Sequence, residues 1–579
     1  MHVVATAGHV DHGKSTLVEA LTGMAPDRLA EERRRGLSIQ LGYCWTELPG
    51  AGDVAFVDVP GHERFVATTL SGVGPVPVVM FVVAADDPWM PQAAEHLAAL
   101  DALGVEHGVL VVTRRDLADP APALARARTE LARTTLRGLP AVAVSGRTGA
   151  GLDELRRLLV EAVTGTPPPP VDADVRLWVD RRFHVPGAGT VVTGTLPAGT
   201  VRVGDILDAG GSPVRVRGLE ALGRPVSAVS GVARVALDLA GQVPEDIGRG
   251  SALLTPAAWE RTDVVDVRLR GDAVPPERPM LHVGATAVEV HVRPLAGDLV
   301  RLRLERPMPL RIGDRALLRD PGSRSLWGVA VLDPAPPPLR RRGAATARAA
   351  ALAGADGTLA DEVARRGVVR RTWLRRLGAV GTTPPDGAVT VGDWMVSPER
   401  AGALRRRLAE AVSTASTPLE PGLTLAAAAR ALRLPGPDLV AALVQPPLRV
   451  AGGRVLPADD GLPAPLAAAL ARLTDHLAEQ PFGAPHADRL AELGLDPAIV
   501  AALARGGHVL RLGDTVLLPG ATDEAVRRLR ELPEPFTASA ARQALGTSRR
   551  VALPLLAHLD RTGRTVRLPD DRRRVRPAR

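Results

Sequence analysis

Apolar runs and amphipathic stretches alternate at the start of the chain. The run HVVATA at 2–7 predicts a β-strand, a glycine-rich stretch follows it, and TLVEALTG has the apolar spacing of a helix. Further apolar runs at 55–59, 76–85 and 109–113 predict buried parallel strands, because polar residues do not alternate through them. This pattern predicts an α/β domain over residues 1–166, with a doubly wound sheet that binds its ligand beyond the carboxyl ends of the strands.

The pattern changes after the proline-rich stretch GTPPPPVDAD, which is unsuited to a helix. Short runs of alternating polar and apolar residues, separated by Gly, Pro and Asp, predict two β-barrels, at 171–258 and 261–339. Four hairpin-like segments follow, with turns at 392, 452, 513 and 570, so that they recur every 60, 61 and 57 residues. Helices rich in Ala, Leu and Arg precede each hairpin, which is the layout of a winged-helix domain. We therefore predict tandem winged-helix domains at 340–399, 400–460, 461–522 and 523–579.

Composition indicates a multidomain protein with a polyanionic partner. The 579 residues exceed what one hydrophobic core organises. A single cysteine excludes intramolecular disulfides, and the longest apolar run is too short to span a membrane, so we expect a cytoplasmic protein with no membrane partner. Residues 523–579 contain 14 Arg against 7 Asp or Glu and contribute +7 of the net charge of +8. A general preference for arginine throughout the chain is the alternative explanation of that charge.

A phosphate-binding pattern, G-x-x-x-x-G-K-S, lies within AGHVDHGKST at 7–16. It falls between a predicted strand and a predicted helix, where backbone N–H groups and the helix N-terminus surround phosphate oxygens. Lys14 is the only lysine among 72 basic residues. We expect its ammonium to lie between the β- and γ-phosphates, where a planar guanidinium cannot replace it, and the Ser15 hydroxyl to bind Mg²⁺.

Three more segments follow in the order that a GTPase requires. In AFVDVPGHERF, Asp58 would reach Mg²⁺ through water, Gly61 would donate its N–H to the γ-phosphate, and His62 follows on a movable loop. VLVVTRRDL ends at Asp116, whose carboxylate can accept from two donors of guanine that adenine lacks. AVAVSGRTGAGL offers backbone N–H groups, beginning at Ser145, to the guanine carbonyl. The predicted GTP- and GDP-binding residues are Gly8, His9, Val10, Asp11, His12, Gly13, Lys14, Ser15, Thr16, Asp58, Gly61, Thr113, Arg114, Asp116, Ser145, Gly146 and Arg147.

The motifs GHVDHGKS and DVPGHE and the loop RRRGLSIQLGY resemble the translational GTPases. The resemblance implies that Ser38 joins Ser15 and Asp58 as a ligand of Mg²⁺ in the GTP state. It also implies that His62 is the catalytic residue, because the matching histidine of the family positions the attacking water.

Two residues depart from the family pattern. The base-reading motif of the family has a lysine where this chain has Arg114, and we expect the aliphatic stem of the arginine to pack over the purine. Gly146 replaces the usual alanine, which we expect to be harmless because the backbone makes the contact.

The stretch VDRRFHVPGAGTVVTG, together with LSIQLGY, resembles the selenocysteine-specific branch of that family. The resemblance implies that the first barrel binds the aminoacyl end of selenocysteinyl-tRNA and that the second barrel also contacts the tRNA. It implies a pocket for an anionic selenol that is lined by Asp180, Arg181 and Arg234. Ordinary salt bridges within a barrel are the alternative explanation of these three side chains.

Arginines are concentrated in the last predicted winged helix. Because aromatic residues make up only 2% of the chain, stacking on unpaired bases is disfavoured, and arginines that contact the phosphates of a folded RNA are favoured. The same branch of the family uses terminal winged helices to bind an mRNA hairpin near a recoded UGA codon. The predicted RNA-binding residues are Arg549, Arg550, Arg564, Arg567, Arg572, Arg573, Arg574 and Arg576. For the first two winged helices, a role as spacers remains open.

These expectations combine into one function. The chain is predicted to be a ribosome-stimulated GTPase that delivers selenocysteinyl-tRNA as a monomer, tethered to selected messages by its C-terminal arm. One alternative is another translational GTPase, such as a general tRNA carrier or an initiation factor, although the winged-helix repeat counts against it. A second alternative is a DNA-binding regulator that uses GTP only as a ligand.

Overall fold

Two compact units make up the chain. The computed structural model describes residues 1–576 apart from 27–39, 61–67, 69–71, 73, 75, 88, 188, 272–273, 324, 417–421 and 459–463. The first unit comprises Met1–Arg365 and Arg371–Thr383, and the second comprises Arg366–Arg370 and Pro384–Arg579. Within the described part of the chain, no helix combines the length and the apolar character needed to cross a bilayer.

A six-stranded sheet is the centre of the N-terminal domain. Its strands are β1 (His2–Ala7), β2 (Gly42–Leu48), β3 (Gly52–Asp58), β4 (Val78–Ala84), β5 (His107–Thr113) and β6 (Ala141–Ala143). The described helices of this domain are α1 (Lys14–Thr22), α2 (Pro91–Leu103), α3 (Ala121–Leu131) and α4 (Leu152–Thr164). The strand order is β2-β3-β1-β4-β5-β6, and only β2 runs antiparallel to its neighbour. Helices α1 and α4 cover one face and α2 and α3 the other, which confirms the predicted α/β class.

Six strands close the first barrel. The strands of this region are β7 (Arg176–Val185), β8 (Gly189–Leu196), β9 (Thr200–Arg202), β10 (Ile206–Ala209), β11 (Ser212–Ala221), β12 (Arg224–Pro225), β13 (Ala228–Ser230), β14 (Ala233–Ala240) and β15 (Ala252–Leu254). The ring runs β10-β15-β7-β8-β14-β11 and returns to β10. Residues of β14 are alternately buried and half-buried, as the alternating sequence pattern predicts.

A second closed barrel follows directly. Its strands are β16 (Thr262–Arg270), β17 (Met280–Val283), β18 (Thr286–Ala296), β19 (Leu299–Met308), β20 (Arg315–Arg319) and β21 (Leu326–Asp333). Their order around the ring is β16-β19-β18-β17-β20-β21. The prediction of two consecutive barrels is therefore confirmed.

Buried charges attach the next helix to the second barrel. The elements that follow β21 are α5 (Ala344–Leu352), α6 (Leu359–Arg366), β22 (Val368–Arg370), α7 (Arg371–Leu377), β23 (Val389–Val391) and β24 (Trp394–Val396). Asp266 of β16 is fully buried and accepts from Nε of Arg301 at 2.7 Å and from Nε of Arg348, on α5, at 2.6 Å. The Arg348 guanidinium also donates to Asp333 of β21. Helix α5 is thus fixed to β16 and β21 by paired charges, and Arg301 of β19 shares the Asp266 carboxylate.

The rest of the chain repeats helices and hairpins. Its elements are α8 (Pro398–Ala415), β25 (Leu423–Thr424), α9 (Leu425–Leu432), α10 (Pro437–Leu443), β26 (Leu448–Ala451), β27 (Arg454–Pro457), α11 (Ala464–Glu479), α12 (Ala487–Glu492), α13 (Pro497–Arg505), β28 (Leu510–Leu512), β29 (Thr515–Leu517), α14 (Ala521–Leu529), α15 (Ala538–Ala544), α16 (Arg549–Arg561), β30 (Thr565–Arg567) and β31 (Arg573–Val575). The four hairpins lie where the turn positions predict them. From Ala469 to Val575 a single hydrophobic core runs through the last two repeats.

Candidate nucleotide-binding site

The glycine-rich loop connects β1 to α1 at the carboxyl edge of the central sheet. Gly8 has a φ of 133°, and a Cβ at this position would lie 2.1 Å from the Val82 carbonyl oxygen. Gly13, with a φ of 79°, is the N-cap of α1. Both positions therefore require glycine, and they direct the first N–H groups of α1 toward the loop.

Lys14 is buried at the start of α1, with 6% of its surface exposed. Its Nζ donates to the carbonyl oxygens of His9 at 2.7 Å and Gly8 at 3.2 Å. These bonds hold the ammonium against the carbonyl oxygens of the phosphate loop. The position fits the role predicted for this lysine.

Asp58 at the end of β3 forms the second part of the site. It is 1% exposed, and its two carboxylate oxygens accept from Thr6 Oγ1 at 2.7 Å and from Ser15 Oγ at 2.6 Å. The Val59 N–H donates to Thr6 Oγ1 at 3.0 Å and fixes that hydroxyl. Hydroxyl and carboxylate oxygens are the ligands that Mg²⁺ prefers, so Ser15 and Asp58 fit this ion beside the phosphate loop.

Three histidines surround the loop. His96 of α2 is buried, and its Nδ1 accepts the Gly8 N–H at 3.0 Å. The rings of His9 and His12 meet edge to face, and His12 Nε2 lies 3.3 Å from an Asp87 oxygen. Burial lowers the pKa of His96 to about 3 and the pKa of His12 to about 4. Both rings are therefore neutral at pH 7, and His96 is a hydrogen-bond acceptor for the loop.

The end of β5 is bonded to the same loop. Thr113 Oγ1 donates to the His12 carbonyl at 2.8 Å. Arg114 has a φ of 57°, and its Nη1 donates to both carboxylate oxygens of Asp86, at 3.1 and 3.2 Å. Its Nη2 donates to the Asp11 carbonyl. The arginine that replaces the family's lysine thus connects the base-reading loop to the phosphate loop.

The predicted base-reading groups lie beside this arginine in the chain. A hydrogen bond from the Ser145 side chain lowers the pKa of the exposed Asp116 carboxyl, which keeps it ionised as a hydrogen-bond acceptor. Ser145 is buried, and its Oγ also accepts the Thr148 N–H at 3.1 Å. A Cβ on Gly146 would meet Thr16 Cγ2 at 3.4 Å, an ordinary contact. The space at this position therefore admits the alanine of the family pattern.

Not every predicted nucleotide residue can be placed. Ser38, Gly61 and His62 lie outside the described residues, so their expected roles stay predictions. Val10 is half-buried on the loop, and Arg147 is exposed beyond β6. His96 and Asp86 also contact the site but were not predicted, because no local motif marks them and each reaches the loop only through the fold.

The three residues predicted for the aminoacyl pocket do come together. Arg234 on β14 donates to both carboxylate oxygens of Asp180 on β7, and its Nη2 donates to Thr193 Oγ1 at 2.9 Å. The side chains of Asp180 and Arg234 are 6% and 11% exposed. Buried pairing of this kind is also what the salt-bridge alternative requires, so the geometry is compatible with both.

Tyr43, the only tyrosine of the chain, completes this cluster from β2. The guanidinium carbons of Arg234 and Arg181 lie 3.8 and 5.1 Å from the centre of its ring, a cation–π arrangement. Arg181 also donates to the Leu41 carbonyl. Burial raises the pKa of Tyr43 far above its usual value, so the phenol stays neutral. The cluster therefore joins the first barrel to β2 of the N-terminal domain.

The predicted RNA-binding arginines differ in what they contact. Arg573 is buried, and its Nε donates to Asp560 Oδ2 at 3.0 Å, which favours a structural role. Arg550 donates to the carbonyl oxygens of Ala484 and Pro485. These two guanidinium groups are occupied inside the protein.

The other six arginines are on the surface of the last repeat. Three of them pair with acidic side chains: Arg564 with Asp523, Arg567 with Asp571 and Arg572 with Asp570. Arg549, Arg574 and Arg576 are exposed, and none of them is in the ion pairs of the last repeat that the described residues form. These three are the arginines best placed to contact a polyanion.

Comparisons with known proteins identify the relatives of this chain. The family model described as Elongation factor Tu GTP binding domain matches residues 1–165, and that described as Elongation factor SelB, winged helix matches residues 527–574. The selenocysteine-specific elongation factor of Escherichia coli (strain K12) is 38% identical over 353 residues, 59% of this chain and 56% of that protein. Elongation factor Tu 2 of Streptomyces avermitilis is 31% identical over 379 residues, 55% of this chain and 93% of that protein.

A solved structure resembles the whole chain. The crystal structure of a bacterial selenocysteine-specific elongation factor, EF-Sec, has a TM-score of 0.74 at 25% identity, and the match covers 100% of both chains. The chain spans just over half the length of the curated selenocysteine-specific relatives that it matches in sequence.

Proposed function

The chain belongs to the translational GTPases, the family of elongation factor Tu and SelB, and on that premise we propose that it is a GTP-dependent carrier of selenocysteinyl-tRNA. The observation that carries the proposal is the combination, in one chain, of a GTP-binding domain at 1–165 and a SelB winged helix at 527–574. Elongation factor Tu 2 of Streptomyces avermitilis, taken as an example of a general tRNA carrier, matches 55% of this chain. The C-terminal arm therefore favours the selenocysteine-specific function.

The nucleotide site supports GTP binding and hydrolysis. Lys14 offsets the charge of the β- and γ-phosphates, and the ionised Asp116 selects guanine. Ser15 and Asp58, joined by Ser38, would hold Mg²⁺, which neutralises phosphate charge when it is bound. His62 orients the attacking water once the ribosome has positioned it. Attack of that water on the γ-phosphate then gives GDP and phosphate.

The barrels supply the surface for the charged tRNA. A cluster with more positive than negative charge lies in the first barrel. It contains two guanidinium groups, of Arg181 and Arg234, and one carboxylate, of Asp180. A selenol is ionised at neutral pH, and an arginine-rich cluster discriminates it from the neutral hydroxyl of serine. We expect the first barrel to bind the aminoacyl end and the second barrel to contact the tRNA body.

The last repeat provides the tether to the message. Arg549 begins helix α16, and Arg574 and Arg576 follow the turn of the last hairpin. Exposed guanidinium groups on a helix and an adjacent hairpin can contact the phosphates of a folded RNA. Binding of this arm to an mRNA hairpin would raise the concentration of the factor at one UGA codon. We expect the factor to act in the cytoplasm as a monomer.

A competition experiment tests the proposal. The full chain, loaded with GTP, is mixed with selenocysteinyl-tRNA and with the same tRNA carrying serine, and protection of the aminoacyl bond from hydrolysis is measured. Selective protection of the selenocysteinyl bond is the expected result. Equal protection of both would favour a general carrier.

A second arm of the experiment addresses the message. RNAs crosslinked to the protein in cells are sequenced, and duplex DNA is tested as a competitor for the recovered hairpin. Recovery of hairpins beside in-frame UGA codons supports the tether. Better competition by duplex DNA would contradict it and favour a DNA-binding regulator.

A further inference from the structure

Two neighbouring carboxylates lie just after β4 and face the nucleotide site. Asp87 lies 3.3 Å from His12 Nε2, and Asp86 accepts both hydrogen bonds from Arg114 Nη1. Neither acid belongs to the phosphate-binding or base-reading motifs. Asp86 nevertheless fixes the one residue at which the base-reading motif departs from its family pattern.

Arg114 has two anchors in different elements. Nη1 is bonded to Asp86, and Nη2 is bonded to the Asp11 carbonyl in the phosphate loop. The guanidinium therefore cannot rotate without breaking one set of bonds. Arg114 directly follows β5 and has a φ of 57°. The bonds to Asp86 and to the Asp11 carbonyl then fix the course of its aliphatic stem.

An arginine at this position needs more support than a lysine. A lysine presents a compact ammonium that one carbonyl oxygen can orient, whereas a guanidinium is planar, has five N–H donors and ends a longer side chain. The side chains of Arg114 and Asp86 are 34% and 30% exposed, so solvent would compete for an unanchored guanidinium. The two hydrogen bonds from Nη1 to the Asp86 carboxylate oppose that competition.

We propose that Asp86 is a positioning residue for guanine nucleotide binding, acting through Arg114 by fixing the stem of the arginine against the face of the purine. The proposal rests on the proposed function, because it requires GTP and GDP as ligands. Its chemical consequence is specific. Asp86 supports contact with the face of the base, whereas Asp116 reads the edge, so loss of Asp86 weakens every purine diphosphate that Asp116 accepts by the same factor.

The test uses the full-length protein and fluorescent GDP and IDP, with dissociation measured by stopped flow. Asp86→Ala is expected to weaken both nucleotides about three- to fivefold, the effect of losing a half-exposed ion pair, through faster dissociation. The ratio of GDP to IDP affinity is expected to stay at the wild-type value. Asp116→Asn provides the contrast, because it changes that ratio.

Two backgrounds separate positioning from a merely structural effect. In the Arg114→Ala background, the further change Asp86→Ala should not weaken nucleotide binding, because there is no guanidinium left to position. In the Arg114→Lys background, Asp86→Ala should weaken nucleotide binding less than it does in the wild type. The Asp11 carbonyl alone can orient the ammonium of a lysine. Glu154→Ala removes a comparable surface ion pair, with Arg157 on α4, and is expected to bind as the wild type does.

Each outcome is decisive. Wild-type affinity in Asp86→Ala, or an equal loss in the wild-type and Arg114→Ala backgrounds, would overturn the positioning role. A changed ratio of GDP to IDP affinity in Asp86→Ala would overturn it too. Failure of the unaltered protein to bind GDP would instead contradict the proposed function, so the two failures are distinguishable.

Discussion

Single residues determine the geometry of the phosphate-binding loop. Lys14 is the only lysine of the chain, and every other Lys or Arg position is an arginine. Lys14 is buried, and its Nζ is bonded to two carbonyl oxygens of the loop. At position 114, by contrast, an arginine is accommodated because Asp86 and the Asp11 carbonyl accept from its two ends. The shape of the cation matters at the first position, and an added acceptor compensates for it at the second.

Lys14→Arg is expected to weaken GDP and GTP binding at least about a hundredfold, because a planar guanidinium cannot enter the enclosed loop without displacing its backbone. Equilibrium binding of a fluorescent GDP measures the effect. Arg114→Lys is the matched control, since it makes a change of the same kind at the half-exposed position and should retain most of the affinity. Wild-type affinity in Lys14→Arg would contradict the role of this lysine.

Burial of His282 makes the stability of the second barrel dependent on pH. Burial, aided by nearby Arg319, lowers the pKa of His282 from 6.5 to about 4. The unfolded chain therefore takes up a proton first as pH falls below 6.5, so stability that is complete above pH 6.5 is lost toward pH 4. Lowering the pH from 7.5 to 5.5 should, through this histidine, lower the free energy of unfolding by about 1.4 kcal/mol.

Urea unfolding of the wild type and of His282→Gln at the two pH values measures this term. The variant should lose about 1.4 kcal/mol less than the wild type over that interval, whatever its absolute stability. An identical pH dependence in both proteins would show that His282 does not titrate as its burial implies.

Motifs with a local pattern could be predicted from the sequence, and long-range partners could not. The phosphate loop, the strand ends at Asp58 and Asp116 and the periodic hairpins were accessible because their signals lie within a few residues. His96 was not, because it bonds to Gly8 from 88 positions away, within a helix of unremarkable composition. Tyr43 and Asp86 were missed for the same reason, since only the fold brings each to its arginine.

Among the elements, helix α5 forms a buried ion pair that the sequence composition does not indicate. Arg348 and Asp266 look like solvated charges in the sequence, yet they are buried and bonded to each other between α5 and β16. The helix that begins the first predicted winged helix is thus fixed to the barrel before it. This attachment supports a spacer role for that repeat, which remains a proposal.

Arg348→Met should destabilise the barrel by about 3 kcal/mol, because it leaves the buried carboxylates of Asp266 and Asp333 with one fewer cation. The midpoint of urea unfolding, followed by tryptophan fluorescence, measures the loss. Arg278→Met is the control, since Arg278 pairs with Glu289 at 3.6 Å on the exposed surface and should cost less than about 1 kcal/mol. Equal effects of the two changes would contradict the account of the buried network.

For the whole molecule, the proposed function separates nucleotide binding from message binding. The double variant Arg549→Ala, Arg574→Ala should weaken binding to the mRNA hairpin and reduce the salt dependence of log K by about 1.4 to 1.8, as expected for two lost phosphate contacts. Its affinity for GDP should not change. Filter binding at several salt concentrations gives the slope.

Arg567→Ala is the matched control for that experiment, because its guanidinium is already paired with Asp571. We expect its effect on the slope to be smaller. A slope unchanged in the double variant would exclude Arg549 and Arg574 from the RNA contact surface.

The core shared by the last two repeats also has a consequence during synthesis. Phe482 is buried, its carbonyl accepts from Thr547 Oγ1 at 2.6 Å, and the cluster around it closes only when residues up to Val575 are present. At about 5–20 residues per second, the third repeat leaves the ribosome several seconds before the partner that covers it. During that interval its apolar face is open to chaperones and to neighbouring nascent chains. A chain that lost its final repeat would keep that face open permanently.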